Sequence, residues 1–106
     1  MKYNARFFST GMAKSQPHLP IYICLESLDR KEDLVQSFAS RESLVKALAN
    51  VLLDPNNRPD IKQQIDQAIE TAVRHKDQVF SVADHIELSK KQLEQLRIEG
   101  MESVTD

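Results

Sequence analysis

The residues of this chain with nucleophilic or metal-ligating chemistry are few: one cysteine, Cys24, and three histidines, His18, His75 and His85. A thiolate activated by an imidazole attacks carbonyls and disulfides, so Cys24 with one of these histidines is the constellation to consider first. Nothing in the spacing brings them together. Cys24 sits in the apolar run Ile-Tyr-Ile-Cys-Leu at 21–25, where a free cysteine packs as a small hydrophobe. A helical metal site stacks two histidines at i and i+4 on one face. His75 and His85 are too far apart for that, and His18 lies in a loop. Asp84 and Glu87 flank His85, which makes one imidazole and two ordinary surface acids rather than three or four ligands at a recognised spacing. The remaining carboxylates read as solvated helix faces or turns. With only Gly11 and Gly100 in the chain, a glycine-rich phosphate loop is excluded. The expectation is a protein with no catalytic residue, no metal and no cofactor.

Composition narrows the class. The 106 residues fit a single domain, with 41% apolar and 28% charged residues, near the averages of globular proteins. A lone cysteine forms no internal disulfide, and small secreted domains lean on several; a reducing, cytoplasmic setting is expected. The first residues, MKYNARFFSTG, show neither the apolar run nor the cleavage site of a signal peptide. No stretch approaches the roughly 20 apolar residues of a membrane span. Net charge is −2, unevenly spread: Lys2, Arg6 and Lys14 precede the first acid, Glu26, so residues 1–25 carry +3 and the remainder −5. That basic end is less dense than the footprint of a dedicated nucleic-acid binder, and an acidic or mixed protein surface suits it equally.

Five of the six aromatics, Tyr3, Phe7, Phe8, Tyr22 and Phe38, fall before residue 40; Ala, Leu, Gln and charged residues dominate after it. Aromatic and β-branched residues suit pleated surfaces, and the later residue types suit helices. Strands are expected at 2–9, 20–28 and 33–39, the last open to reading as the start of a helix. Alternation puts Tyr3, Ala5 and Phe7 on one face of the first strand, with Lys2, Asn4, Arg6 and Phe8 on the other. In the second strand Ile21, Ile23 and Leu25 oppose Tyr22, Cys24 and Glu26. A helix at 41–53 begins at Ser40, whose hydroxyl suits an N-cap. A second helix, at 59–76, carries the stripe Ile61, Ile65, Ala68, Ile69, Ala72 and Val73. Two further starts, Ser81 with Asp84 and Ser89 with Gln92, approach capping boxes and predict a short helix at 81–87 and a last one at 89–99. The predicted fold is α+β: a small antiparallel N-terminal sheet of three strands (1–39, a β-meander), then three to four helices packed on one face (40–99), then a flexible tail (100–106).

Within 82–96, Val82-Ala83, Ile86, Leu88-Ser89, Leu93 and Leu96 form a pattern that resembles the helix-turn-helix of AraC-type regulators. The resemblance covers about fifteen residues and implies a recognition helix from Ser89, with Lys90, Lys91, Gln92 and Gln95 offered to DNA. The bland alternative is a helix pair that closes the core. A second candidate surface is the face bearing Lys2, Arg6 and Phe8, near Lys14 in the following loop. It fits an acidic protein surface or nucleic acid, or is an edge strand carrying charge against aggregation.

In size and element order the chain is similar to small phage and mobile-element inhibitors of host machinery, anti-CRISPR proteins among them. That similarity implies a cytoplasmic, non-enzymatic protein that covers the surface of a protein or nucleoprotein complex, with Lys2, Arg6, Phe8 and Lys14 at the contact. The alternative is a small DNA-binding regulator using 81–99; no membrane partner is expected, and a homodimer is compatible with either.

Overall fold

A computed structural model describes residues 2–11, 19–29, 33–55 and 57–100, the side chain of Asn50 excepted. Three long strands come first: β1 (Lys2–Ser9), β2 (Ile21–Ser27) and β3 (Asp33–Phe38). They form an antiparallel meander in which Tyr3 faces Ser27, Phe8 faces Tyr22 and Cys24 faces Val35. The period-2 pattern decides the pleat. Tyr3, Ala5, Phe7, Ile21, Ile23, Leu25, Leu34 and Phe38 are all buried and share the inner face. The strand reading of 33–38 holds, and Val35 points away from Leu34 and Phe38, at 60% exposure.

The helices among the described residues cover the inner face. Ser40 caps α1 (Arg41–Ala47) by accepting from the Ser43 N–H. The helix expected over 41–53 is interrupted at Leu48, where ψ relaxes to −4°, and resumes as the single turn α2 (Ala49–Leu52). The 14-residue α3 (Ile61–Arg74) buries Ile61, Ile65, Ala68, Ile69 and Ala72. Its start is two residues later than the predicted 59, because Pro59 and Asp60 form a turn. The last helix, α4 (Lys90–Glu99), opens with a complete capping box between Ser89 and Gln92. At its other end Gly100 packs so close to Gln36 that a Cβ there would fall 2.0 Å from Gln36 Cγ. Gln36 itself is buried and donates to the Arg97 carbonyl at 2.7 Å. None of the helices among the described residues is long and apolar enough to cross a membrane.

Two expectations are corrected here. The sheet has five strands, not three, and residues 81–87 are not a helix. Instead β4 (Phe80–Ser81) pairs with β1 through Arg6 and Phe7, and β5 (Ile86–Glu87) pairs with it through Lys2 and Tyr3. The two pieces lie along the same edge of β1 and act as one interrupted fourth strand. Arg6 and Tyr3 are three residues apart, while their partners Ser81 and Ile86 are five apart, so two extra residues are looped out as a bulge. The physical reason lies in where this segment's backbone groups find partners. Val82 N–H donates to the Ala5 carbonyl at 3.0 Å. The Asn57 side-chain amide stands in for a further strand: it accepts from Glu87 N–H at 2.7 Å and donates to the Glu87 carbonyl at 3.2 Å. Gln64 of α3 holds Asp84 in the same way, accepting from its N–H at 3.3 Å and donating to its carboxylate at 2.7 Å. The Ser81–Asp84 spacing resembled a capping box, but these long-range partners outcompete the local ones.

Candidate interaction surface

Among the described residues, no helix lies on the outer face of the sheet. Pairing places Phe8 of β1 directly across from Tyr22 of β2, with rings stacked at a centroid distance of 4.7 Å and 5° between planes. The next row along the strands reads Ser81, Arg6, Cys24, Val35. One residue beyond the β1–β4 pairing, Val79 falls beside Phe8 and is 56% exposed. Val79, Phe8, Tyr22, Cys24 and Val35 thus form an apolar band across four adjacent strands. Phe8 and Tyr22 are both half-buried, and their stacking is worth about 0.5–1.5 kcal/mol beyond area burial; Ser37, next to Tyr22 in the same row, is buried at 7% exposure.

A charged margin runs beside the band. Arg6 and Glu26 lie 3.8 Å apart, both partly exposed. Lys2 faces Glu87 across the β1–β5 pairing, and Glu26 faces Asp33 across β2–β3. Burial raises the pKa of the Cys24 thiol, partly offset by the nearby Arg6 guanidinium. A thiol held protonated is a poor nucleophile. Among the described histidines, His75 is exposed and tilts against Phe80 at 5.8 Å, and His85 is exposed. No group of three or more potential metal ligands converges among the described residues.

Of the predicted contact residues, Lys2, Arg6 and Phe8 do share this face, and Lys14 lies outside the described residues. Sequence reasoning missed Tyr22, Cys24, Val35 and Val79 as parts of the same surface. The signal for the first three was available: they occupy the face opposite Ile23 and Leu34 by alternation. Val79 carried none, because it joins the band only through β4.

The residues assigned to DNA reading lie on or beside the first turns of α4. Lys90 and Lys91 are exposed in the first turn of α4. Gln92 is committed to the capping box and to Asp54, 3.1 Å away, and Gln95 donates to Glu99 at 2.9 Å. With β4 and β5 where the first helix of the motif would stand, the helix-turn-helix expectation for 81–99 is withdrawn.

Two grooves lie elsewhere on the described surface. One, of about 280 Å³, runs between α3 and β4 and is lined by Gln64, Gln67, Thr71 and Phe80 among others, without an ionisable side chain. The other, of about 220 Å³, is lined by Lys2, Arg58, Asp84, His85 and Glu87. Its charges engage one another, as Arg58 lies 3.5 Å from Asp84. No protein-family model, curated protein or solved structure matches this chain.

Proposed function

We propose that this protein acts without catalysis, by laying the open face of its sheet against the surface of another protein or nucleoprotein complex. The observation that carries this reading is the apolar band of Val79, Phe8, Tyr22, Cys24 and Val35, bordered by Lys2, Arg6 and Glu26. Aromatic anchors in the centre and charge at the rim are the anatomy of a protein-binding patch. The protonated Cys24 thiol supports packing there rather than chemistry. In this reading the setting is the cytoplasm, and the partner is host machinery inhibited by a small phage or mobile-element protein.

The test is affinity capture from a bacterial lysate with and without nuclease, read by mass spectrometry, in parallel with Phe8→Ala and Tyr22→Ala. A stoichiometric protein partner is expected to survive nuclease and to be lost with either variant while the fold persists. A partner retained by both variants, or recovery of nucleic acid alone that is lost on raising salt, would overturn the proposal.

A further inference from the structure

We propose that the open face also pairs with the same face of a second copy of this chain, about a two-fold axis parallel to the strands and lying between β1 and β2. The inference rests on reading that face as the binding surface, and it starts from how charge is divided among the strands. On this face the charged residues of β1 are cations, Lys2 and Arg6, while those of β2 and β3 are acids, Glu26 and Asp33. A two-fold interface sets one patch against itself, so the patch must be its own complement.

The axis between β1 and β2 meets that condition, row by row. It lays β1 over the partner's β2. Phe8 then meets Tyr22 of the partner subunit, as the two already share a row within one sheet. Arg6 lies over Cys24 of the partner subunit and one row from Glu26 of the partner subunit; Lys2 flanks the same carboxylate from its other side. β3 falls over the interrupted β4–β5 strand. Asp33 shares the row of Glu26 and Asn4, which the β1–β5 pairing, extended by one residue, brings to His85 rather than Glu87. An axis along β1 itself would instead set Arg6 against Arg6, so the charge pattern selects between the two. Aligned packing of two sheets face to face is an ordinary arrangement, with the faces about 10 Å apart.

The area sets the strength. A face four strands wide and seven residues long covers on the order of 400 Å² at ordinary strand spacing and rise. Two such faces fall below the roughly 1,200 Å² of a standard specific interface, in the range of weak, transient complexes. The dimer is therefore reversible and exchanges with the target for the same face.

Sedimentation equilibrium of the full chain, from micromolar to millimolar concentration, tests this. The average mass is expected to climb from one copy towards two, and to fall back on adding salt, which screens the rim charges. Arg6→Glu and Glu26→Arg are each expected to weaken self-association by about tenfold or more, in line with the coupling of close interfacial charge pairs. An equimolar mixture of the two variants is expected to regain the dimer, because each introduced charge then faces its opposite across the axis, whereas in either variant alone it faces its own sign. Recovery in the mixture also shows that both variants fold. A wild-type monomer at every concentration, a dimer indifferent to both substitutions, or a mixture that stays monomeric would each overturn the proposal. The lysate capture with Phe8→Ala and Tyr22→Ala reads the other partner: a chain that captures its target through this face yet never self-associates loses the dimer and keeps the proposed function.

Discussion

Phe7 and Phe8 are adjacent in β1 and face opposite sides of one sheet. Phe7 is fully buried among Ile21, Ile23 and the helices, while Phe8 is half-buried and has its main aromatic contact with Tyr22. Below the sheet, α1, α3 and α4 supply Leu44, Ile65, Ile69, Leu93 and Leu96 to fill the space between elements. Above it, the same strands offer an aromatic pair, two exposed valines and a thiol with no element of the chain laid over them among the described residues. The inner face spends its apolar surface on folding. The outer face keeps its own for whatever docks there.

The largest effect comes from breaking the two faces separately. Phe7→Ala empties a fully buried site and is expected to cost about 3–5 kcal/mol in urea unfolding. Phe8→Ala is expected to cost about 1 kcal/mol, the stacking on Tyr22 plus a modest loss of burial. Equal losses from the two would mean that the outer face is as much a core as the inner one.

An intermediate effect is expected where the inner layer reaches round to hold the fourth strand. Asn57 donates to the Val51 carbonyl at 2.9 Å and pairs with both backbone groups of Glu87. Asn57→Ala is expected to cost about 2 kcal/mol, since it leaves partly buried backbone groups unpaired. Amide exchange at Glu87 should accelerate well before the amides of β2 respond; uniform acceleration would show that β5 unfolds only with the whole sheet.

The smallest effect concerns Cys24, in the middle of the outer band. Its burial stabilises the neutral thiol, so the folded pKa lies above the unfolded one. The resulting stability is fully present below the unfolded thiol pKa and is lost as pH rises through the folded value. Alkylation of Cys24 by iodoacetamide is expected to be slower than that of a free thiol at the same mildly alkaline pH, and urea should abolish the difference. A rate equal to that of free cysteine in the native state would place the thiol in full contact with solvent.

Much of this architecture was written in local patterns. Alternation in 2–9 and 21–27 assigned inner and outer residues correctly, because a strand has a period of exactly two and the sheet buries one side. The stripe of α3 and the caps Ser40 and Ser89 were equally local, each needing only residues within a few positions. The candidate face was half legible: Lys2, Arg6 and Phe8 were grouped from β1 alone, but their grouping with Tyr22, Cys24 and Val35 required the pairing of three strands. Residues 81–87 were misread for the opposite reason. Their local signals favoured a helix, and their backbone found partners far away in β1, Asn57 and Gln64.

By itself, then, the sequence determined which residues are apolar on which side of each long element, since side-chain periodicity is a property of the isolated strand or helix. It also determined where α1 and α4 begin, since a cap is satisfied by its own neighbours. Only the tertiary structure decided that a fourth strand exists, that it is broken by a two-residue bulge, and that Val79 and Val35 belong to one band with the Phe8–Tyr22 pair. Those outcomes depend on which distant backbone groups compete for the same hydrogen bonds, and that competition exists only once the chain has folded.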